Sequence, residues 1–178
     1  MSWSEKCSKI TTIILDVDGV LTDGRIGSRD NGDEIKFFDV KDGHGIVLAR
    51  RAGLKVGILS GRKSKANAVR AAELKLDFFY EGCLNKNEGL THLLESEGLK
   101  PEECMYIGDD LVDAPPMARC GVAVAVGDGV PELDALADFR VKAPGGRGAV
   151  REAVEVLLKE QGKWSKLLER YFGLSCRS

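Results

Sequence analysis

Short apolar runs rich in β-branched residues recur along the chain, at Ile10–Leu15, Lys55–Leu59, Phe78–Tyr80, Met105–Ile107, Val122–Val126 and Phe139–Val141. Each reads as a strand. Between them lie helical patterns around His44–Arg51, Ser64–Leu74, Asn87–Glu97, Ala114–Arg119 and Pro131–Ala137. A last helix is predicted from about Ala149 to Gln161, resuming at Trp164–Phe172. There Trp164, Leu167, Leu168 and Tyr171 fall at helical spacing and read as a packing or interface face. Strand and helix in strict alternation predict a parallel sheet wrapped by helices. Only Asp23–Val40 breaks the rhythm. In it Arg25-Ile26 and Glu34–Phe38 flank Asn31-Gly32-Asp33, the chemistry of a β-hairpin inserted after the first strand. No repeat, low-complexity tract or interdomain linker intervenes, so one α/β domain over 1–178 is expected.

Composition narrows the class. With 43% hydrophobic and 30% charged residues, the chain reads as globular rather than disordered. A net charge of -2 offers no field to recruit nucleic acid, so any anion site must be built locally. The longest apolar stretches, such as Val122–Val126, are too short to span a bilayer. Met1–Lys9 is mostly polar, and Ile10–Leu15 is too short for the apolar part of a secretory signal. Cys7, Cys83, Cys104, Cys120 and Cys176 include no Cys-x-x-Cys pair and fit buried or incidental thiols in a reducing cytosol. A cytoplasmic protein that binds neither nucleic acid nor membrane is expected.

The first strand ends in Asp16 and Asp18, spaced i, i+2 so that extended backbone points both side chains the same way. Unpaired carboxylates are too costly to bury, so the pair implies a shared cation or substrate. An Asp-Gly turn alone is the plainer reading, because the same dipeptide often simply ends a strand. Other strand ends weigh against it. Ser60-Gly61-Arg62 follows the second strand, Lys86 opens the helix after the third, and Gly108-Asp109-Asp110 ends the fourth. Ligands of such sheets bind outside these carboxyl ends. The set suits phosphate monoester hydrolysis, where catalysis is mostly positioning and charge neutralisation. A carboxylate attacks phosphorus only if cations offset the repulsion. Asp16 and Asp109 can hold Mg²⁺, Lys86 adds a point charge, Ser60 adds a hydroxyl, and Asp18 can serve as acid and then base.

Four ordered motifs resemble the haloacid dehalogenase superfamily of phosphohydrolases: D-V-D-G-V-L-T-D at Asp16–Asp23, L-S-G-R at Leu59–Arg62, Lys86, and G-D-D-L-V-D at Gly108–Asp113. The likeness extends to its capless branch, and within that to the family of 3-deoxy-D-manno-octulosonate 8-phosphate phosphatases. Phe38–Gly45 looks like that family's substrate loop, and Gly145–Glu152 matches its C-terminal segment. Together the similar segments run from about Ile10 to Leu158. The resemblance implies a Rossmann-like three-layer sandwich with a central parallel sheet and a small inserted hairpin at about 23–40, without a cap domain.

It further implies Asp16 as nucleophile and metal ligand, and Asp18 as acid/base with its backbone carbonyl on Mg²⁺. Asp109 would be the remaining protein ligand, Ser60 and Lys86 would hold the phosphoryl group, and Asp110 would touch substrate or a metal-bound water. Asp39, Val40, Lys41, Asp42, Gly43, Arg62 and Arg70 would face an acidic sugar phosphate, in a homotetramer of lipopolysaccharide precursor synthesis. Two positions depart from the pattern: Asn85 stands where many members have Asp, and Val47 where some have Arg. A phosphatase of a nine-carbon acidic sugar 9-phosphate is the nearest alternative, but such enzymes tend to carry glutamate where this chain has Arg62.

Other readings fare worse. Gly19 comes too early for a calcium loop, and Gly127-Asp128-Gly129 lacks the third glycine of a dinucleotide fingerprint. A receiver-type module would lack Asp18, and a non-catalytic oligomerisation module would have no reason to fill every catalytic position. His44 reads as a polar contact in the substrate loop and His92 as a structural or solvent-facing residue. Asp23 and Asp113 read as capping or supporting groups.

Overall fold

The computed structural model describes residues 2–173, so Cys176 lies outside the described residues. The elements are, in chain order, α1 (Trp3–Lys9), β1 (Thr12–Leu15), β2 (Gly27–Ser28), β3 (Glu34–Ile35), α2 (Val40–Arg51), β4 (Lys55–Leu59), α3 (Lys65–Glu73), β5 (Phe78–Tyr80), α4 (Lys86–Glu97), β6 (Cys104–Gly108), α5 (Ala114–Arg119), β7 (Val122–Ala125), β8 (Phe139–Arg140), α6 (Ala149–Glu160) and α7 (Trp164–Phe172). The large sheet runs β5-β4-β1-β6-β7-β8, and every pair in it is parallel. The predicted α/β architecture is the observed one.

Side-chain alternation along the strands builds two cores. Ile13 and Leu15 of β1, Val56 and Ile58 of β4, and Met105 and Ile107 of β6 face one layer with α2 and α6. Ile14, Leu59, Cys104 and Tyr106 face the other, with Leu90 and Leu93 of α4 and Met117 of α5. A period of two assigns successive residues to opposite faces, so a parallel sheet covered on both sides needs continuous apolar strands. α6 seals its layer through Val150, Ala153, Val154, Leu157 and Leu158, an apolar stripe at helical spacing.

Four elements depart from the sequence reading. α1 was not expected, yet Ser2 and Glu5 form a reciprocal capping box, and Trp3 packs edge-on against Phe139 at 5.2 Å. The S-x-x-E signature was its available signal. Pro131–Ala135 is a 3₁₀ turn rather than an α-helix. The hairpin pairs only Gly27–Ser28 with Glu34–Ile35. Lastly, the expected loop Phe38–Gly45 is mostly helix: Asp39 accepts from the Lys41 amide at 2.6 Å and caps α2, which begins at Val40. His44, the predicted start of the helix, lies inside α2 and is bonded through Nε2 to the Tyr171 hydroxyl of α7 at 2.9 Å. Among the described residues no helix is long and apolar enough to cross a membrane.

Candidate active site

From β1 the chain steps to β4 and β5 on one side, then returns to β6, β7 and β8 on the other. A crevice opens beyond the strand ends wherever strand order reverses like this. It holds a cavity of about 280 Å³, lined by Asp16, Asp18, Ser60, Gly61, Arg62, Lys86, Asp109 and Asp110, with Leu84 and Val112 at its apolar part.

The turn after β1 is fixed from within. The Val17 carbonyl accepts from the amides of Val20, Leu21 and Thr22, and the Thr22 hydroxyl accepts from Gly19 and Gly24 while donating back to Val17. Gly19 has φ +91°, and a Cβ there would stand 2.0 Å from Asp109 Oδ2. Only glycine meets both conditions. The Gly145-Gly146 segment closes over the same turn: a Cβ on Gly145 would lie 1.7 Å from the Gly19 carbonyl oxygen. Arg147 points away to Asp23, at 3.5 Å, and does not line the cavity.

Lys86 is buried between two carboxylates, 2.8 Å from Asp16 Oδ1 and 2.6 Å from Asp113 Oδ1. Burial works against its ammonium, but Asp16 and Asp113 outweigh that and raise its pKa. α4 presents this lysine in its first turn because Asn85 caps the helix, accepting from the Asn87 and Glu88 amides. An aspartate would accept the same bonds, so the departure at Asn85 leaves the lysine in place.

Asp113 is fully buried and saturated. Oδ1 accepts from Lys86 and from the Tyr106 hydroxyl at 2.7 Å, while Oδ2 accepts from the Asp109 and Asp110 amides at 3.0 and 3.3 Å. Asp16, Asp109 and Asp113 each place an oxygen within 4.8 Å of the others. Since donors occupy both oxygens of Asp113, the atoms left for a cation belong to Asp16 and Asp109. Asp109 Oδ1 is buried with no partner. Burial first, then the charge of Asp113, raises Asp16 to about 6 and Asp109 to about 8. Two carboxyls that resist ionisation side by side in an oxygen-rich site have the chemistry that a hard cation would favour.

Sequence reasoning missed Lys36 and Glu34 of the hairpin. Lys36 Nζ meets Asp18 Oδ1 at 2.6 Å and Glu34 Oε2 at 3.8 Å, and its side chain is 0% exposed. Arg62 pairs with Glu34 and lies 3.7 Å from Asp18 Oδ2. Arg62 is therefore a partnered, half-exposed cation rather than a free one. Nothing local in the sequence announces the Lys36–Asp18, Arg62–Glu34 and Arg62–Asp18 pairs, because each joins segments more than a dozen residues apart.

The structure does not bring the remaining candidates to the cavity. Asp42 is buried and caps α6, accepting from the Gly148 and Arg151 amides at 3.0 and 2.8 Å. Arg70 stacks over Phe38 and donates to the Asp39 carbonyl, bracing the start of α2 against Gly43. Val40 and Lys41 are exposed, and Asp39 is half-buried.

A haloacid dehalogenase-like hydrolase family model matches residues 62–151. The 3-deoxy-D-manno-octulosonate 8-phosphate phosphatase KdsC of Escherichia coli K12 is 46% identical over 158 residues, covering 89% of this chain and 84% of that protein. The phosphatase of that name from Moraxella catarrhalis, solved with a magnesium ion, a phosphate ion and a KDO molecule, superposes with a TM-score of 0.90. It is 33% identical, with 94% of this chain and 97% of that one covered. The cobalt-bound Haemophilus influenzae phosphatase gives a TM-score of 0.86 at 41% identity, covering 90% of this chain and 94% of that one. With the acidic cluster at the switch point, these matches are decisive: the chain belongs to the haloacid dehalogenase-like hydrolases, alongside the 3-deoxy-D-manno-octulosonate 8-phosphate phosphatases, and is a metal-dependent phosphomonoesterase.

Proposed function

We propose that this phosphatase uses Mg²⁺ and an aspartyl-phosphate on Asp16 to hydrolyse 3-deoxy-D-manno-octulosonate 8-phosphate to the free sugar acid and phosphate. The observation that carries the reading is the convergence of Asp16, Asp18, Ser60, Lys86 and Asp109 on one cavity at the sheet's switch point. The unpartnered Asp109 Oδ1 beside a second raised carboxyl fits a hard divalent cation with oxygen ligands. Asp16 and Asp109 would hold it, with the Asp18 backbone carbonyl. When bound, the ion offsets the repulsion between a carboxylate nucleophile and a phosphate dianion.

This chain's own groups do the rest. A carboxylate oxygen of Asp16 attacks phosphorus as the bond to the sugar oxygen breaks, and Asp18 gives its proton to the leaving alkoxide. Asp18, now a carboxylate, takes a proton from the water that attacks the phosphoryl group, releasing phosphate and restoring Asp16. The Lys86 ammonium and Ser60 hydroxyl hold the phosphoryl oxygens while charge develops on them. Asp110 stands at the rim, where it would meet the sugar or a metal-bound water. Arg62, which lines the cavity, would have to release Glu34 to recognise the sugar carboxylate through two parallel hydrogen bonds.

Asp39, Val40, Lys41 and Arg70 lie outside the cavity of their own chain, so their contribution to sugar binding would come through a neighbouring copy, with Asp42 and Gly43 keeping that helix start in place. The hairpin and adjoining chain expose Ile26 and Phe37, apolar surface that suits burial between subunits. The assembly would be a cytoplasmic homotetramer, each chain one domain. Light scattering that gives a fully active monomer would refute the assembly. Asp16→Asn tests the chemistry: the amide is a poor nucleophile and a poorer magnesium ligand, so turnover should vanish while the far-UV spectrum stays unchanged. Retained turnover, with contaminating phosphatase excluded, would sink the reading.

A further inference from the structure

We propose that Lys36, from the inserted hairpin, is a positioning residue that fixes which oxygen of Asp18 faces the substrate. This rests on the acid/base reading of Asp18 given above. Four charges form a closed ring of alternating sign. Arg62 pairs with Glu34, Glu34 lies 3.8 Å from Lys36, Lys36 lies 2.6 Å from Asp18 Oδ1, and Asp18 Oδ2 lies 3.7 Å from Arg62. A lysine side chain with 0% exposure is costly unless its ammonium is well paired. Here its close partner is Asp18.

The two oxygens of Asp18 are thereby made different. Lys36 occupies Oδ1 at a charge-assisted distance. Oδ2 is buried with no hydrogen-bond partner, and Asp18 lines the cavity. One oxygen is anchored and the other is left for proton transfer. A carboxylate free to rotate would spend its time in geometries where neither oxygen reaches the leaving group or the water, and misplacement of a reacting group is expensive. The hairpin thus acts on the chemistry from within its own chain.

The test uses the full-length enzyme with saturating Mg²⁺ and two substrates, 3-deoxy-D-manno-octulosonate 8-phosphate and p-nitrophenyl phosphate. Lys36→Met keeps the length of the side chain and removes the ammonium. For the sugar phosphate, kcat should fall roughly 10–100-fold, a fraction of the roughly 10²–10⁴-fold that acid–base catalysis supplies, with KM little changed. The aryl leaving group needs no proton to depart, so its first step survives while water attack is slowed. Rapid mixing should then show a burst of about one nitrophenolate per site, larger than in the wild type, followed by slow turnover. A purely structural role would not create a burst. Lys36→Arg is the second variant and holds the fold if Lys36→Met does not. Its planar guanidinium cannot place a donor where the ammonium sits without moving the carboxylate, so it should show the same burst in smaller measure. Wild-type kcat in either folded variant, or a loss confined to KM, would overturn the proposal. If Asp16→Asn also keeps its turnover, the aspartyl-phosphate reading itself has failed; if Asp16→Asn is inactive, only the role of Lys36 has.

Discussion

Asp113→Ala is expected to destabilise the protein by about 4 kcal/mol, although Asp113 is given no part in the chemistry. Asp113 is fully buried and accepts from four donors: the Lys86 ammonium, the Tyr106 hydroxyl and the Asp109 and Asp110 amides. Truncation leaves Lys86 buried with Asp16 as its one remaining carboxylate, and removing one partner of a buried pair costs about 3–5 kcal/mol. The orphaned Tyr106 hydroxyl alone would add about 1–3 kcal/mol, but neighbouring losses overlap and do not simply sum. A partial offset comes from relief of Asp16 and Asp109, whose carboxyls the Asp113 charge, after burial, pushes up. Four kcal/mol corresponds to a drop in Tm of roughly 8–16 °C for a chain of this size. Urea unfolding followed by circular dichroism, with EDTA and with Mg²⁺, measures it. Asp113→Asn should fall between, because one amide oxygen serves half of the donors and its NH₂ faces the rest. A loss below about 1 kcal/mol in Asp113→Ala would refute the reasoning. So would a loss seen only with Mg²⁺, since that is the signature of a metal ligand rather than of a saturated internal acceptor.

Two further outcomes follow from the site. Asp16 and Asp109 titrate near 6 and 8 without metal, above the ordinary carboxyl value of 3.8. The native state therefore holds protons that the unfolded chain has released, and this contribution to stability declines as pH rises from about 4 through 8. In EDTA, Tm should fall across that window, and Mg²⁺ should raise Tm more at pH 8 than at pH 5; a stabilisation by Mg²⁺ that is equal at both would contradict the coupling. Arg62→Ala should cost roughly 1.5–3 kcal/mol in kcat/KM on the sugar acid phosphate and much less on an aryl phosphate, which has no carboxylate. Equal losses on both, or a wild-type preference for a nine-carbon sugar phosphate, would reassign its role to the Glu34 ion pair.

The sheet and its helices were legible because β1, β4, β6 and β7 are almost wholly apolar runs and most crossovers carry a helical pattern, the 3₁₀ turn at Pro131–Ala135 being the exception. A doubly covered parallel sheet demands this pattern, and few other folds tolerate it. The catalytic edge was legible for a related reason. Asp16, Ser60 and Asp109 follow their strands directly, and Lys86 opens the helix after one, so topology alone delivers them to a single crevice. Asp113 could be placed only as a supporting group, because its saturation depends on Tyr106 and Lys86 arriving from elsewhere.

What escaped the sequence was held in pairings across distance. Asp42 looked like a sugar contact by its place in Phe38–Gly45, yet the chain folds that stretch into the first turns of α2. Burial then turns its carboxylate onto the amides that open α6. A helix N-terminus offers bare N–H groups, and a buried carboxylate needs them, so each satisfies the other, although burial still raises the Asp42 pKa. Lys36 escaped for the opposite reason. In a hairpin with only two paired residues per strand, a lysine reads as a solvated edge residue. Its burial follows from the ring of Asp18, Glu34 and Arg62, whose members come from the β1 turn, the hairpin and the β4 end. A short hairpin with a few ladder bonds of its own is held down by those charges. The same ion pairs that help dock it also grip Asp18, so the hairpin reaches the candidate acid/base through Lys36 and Arg62.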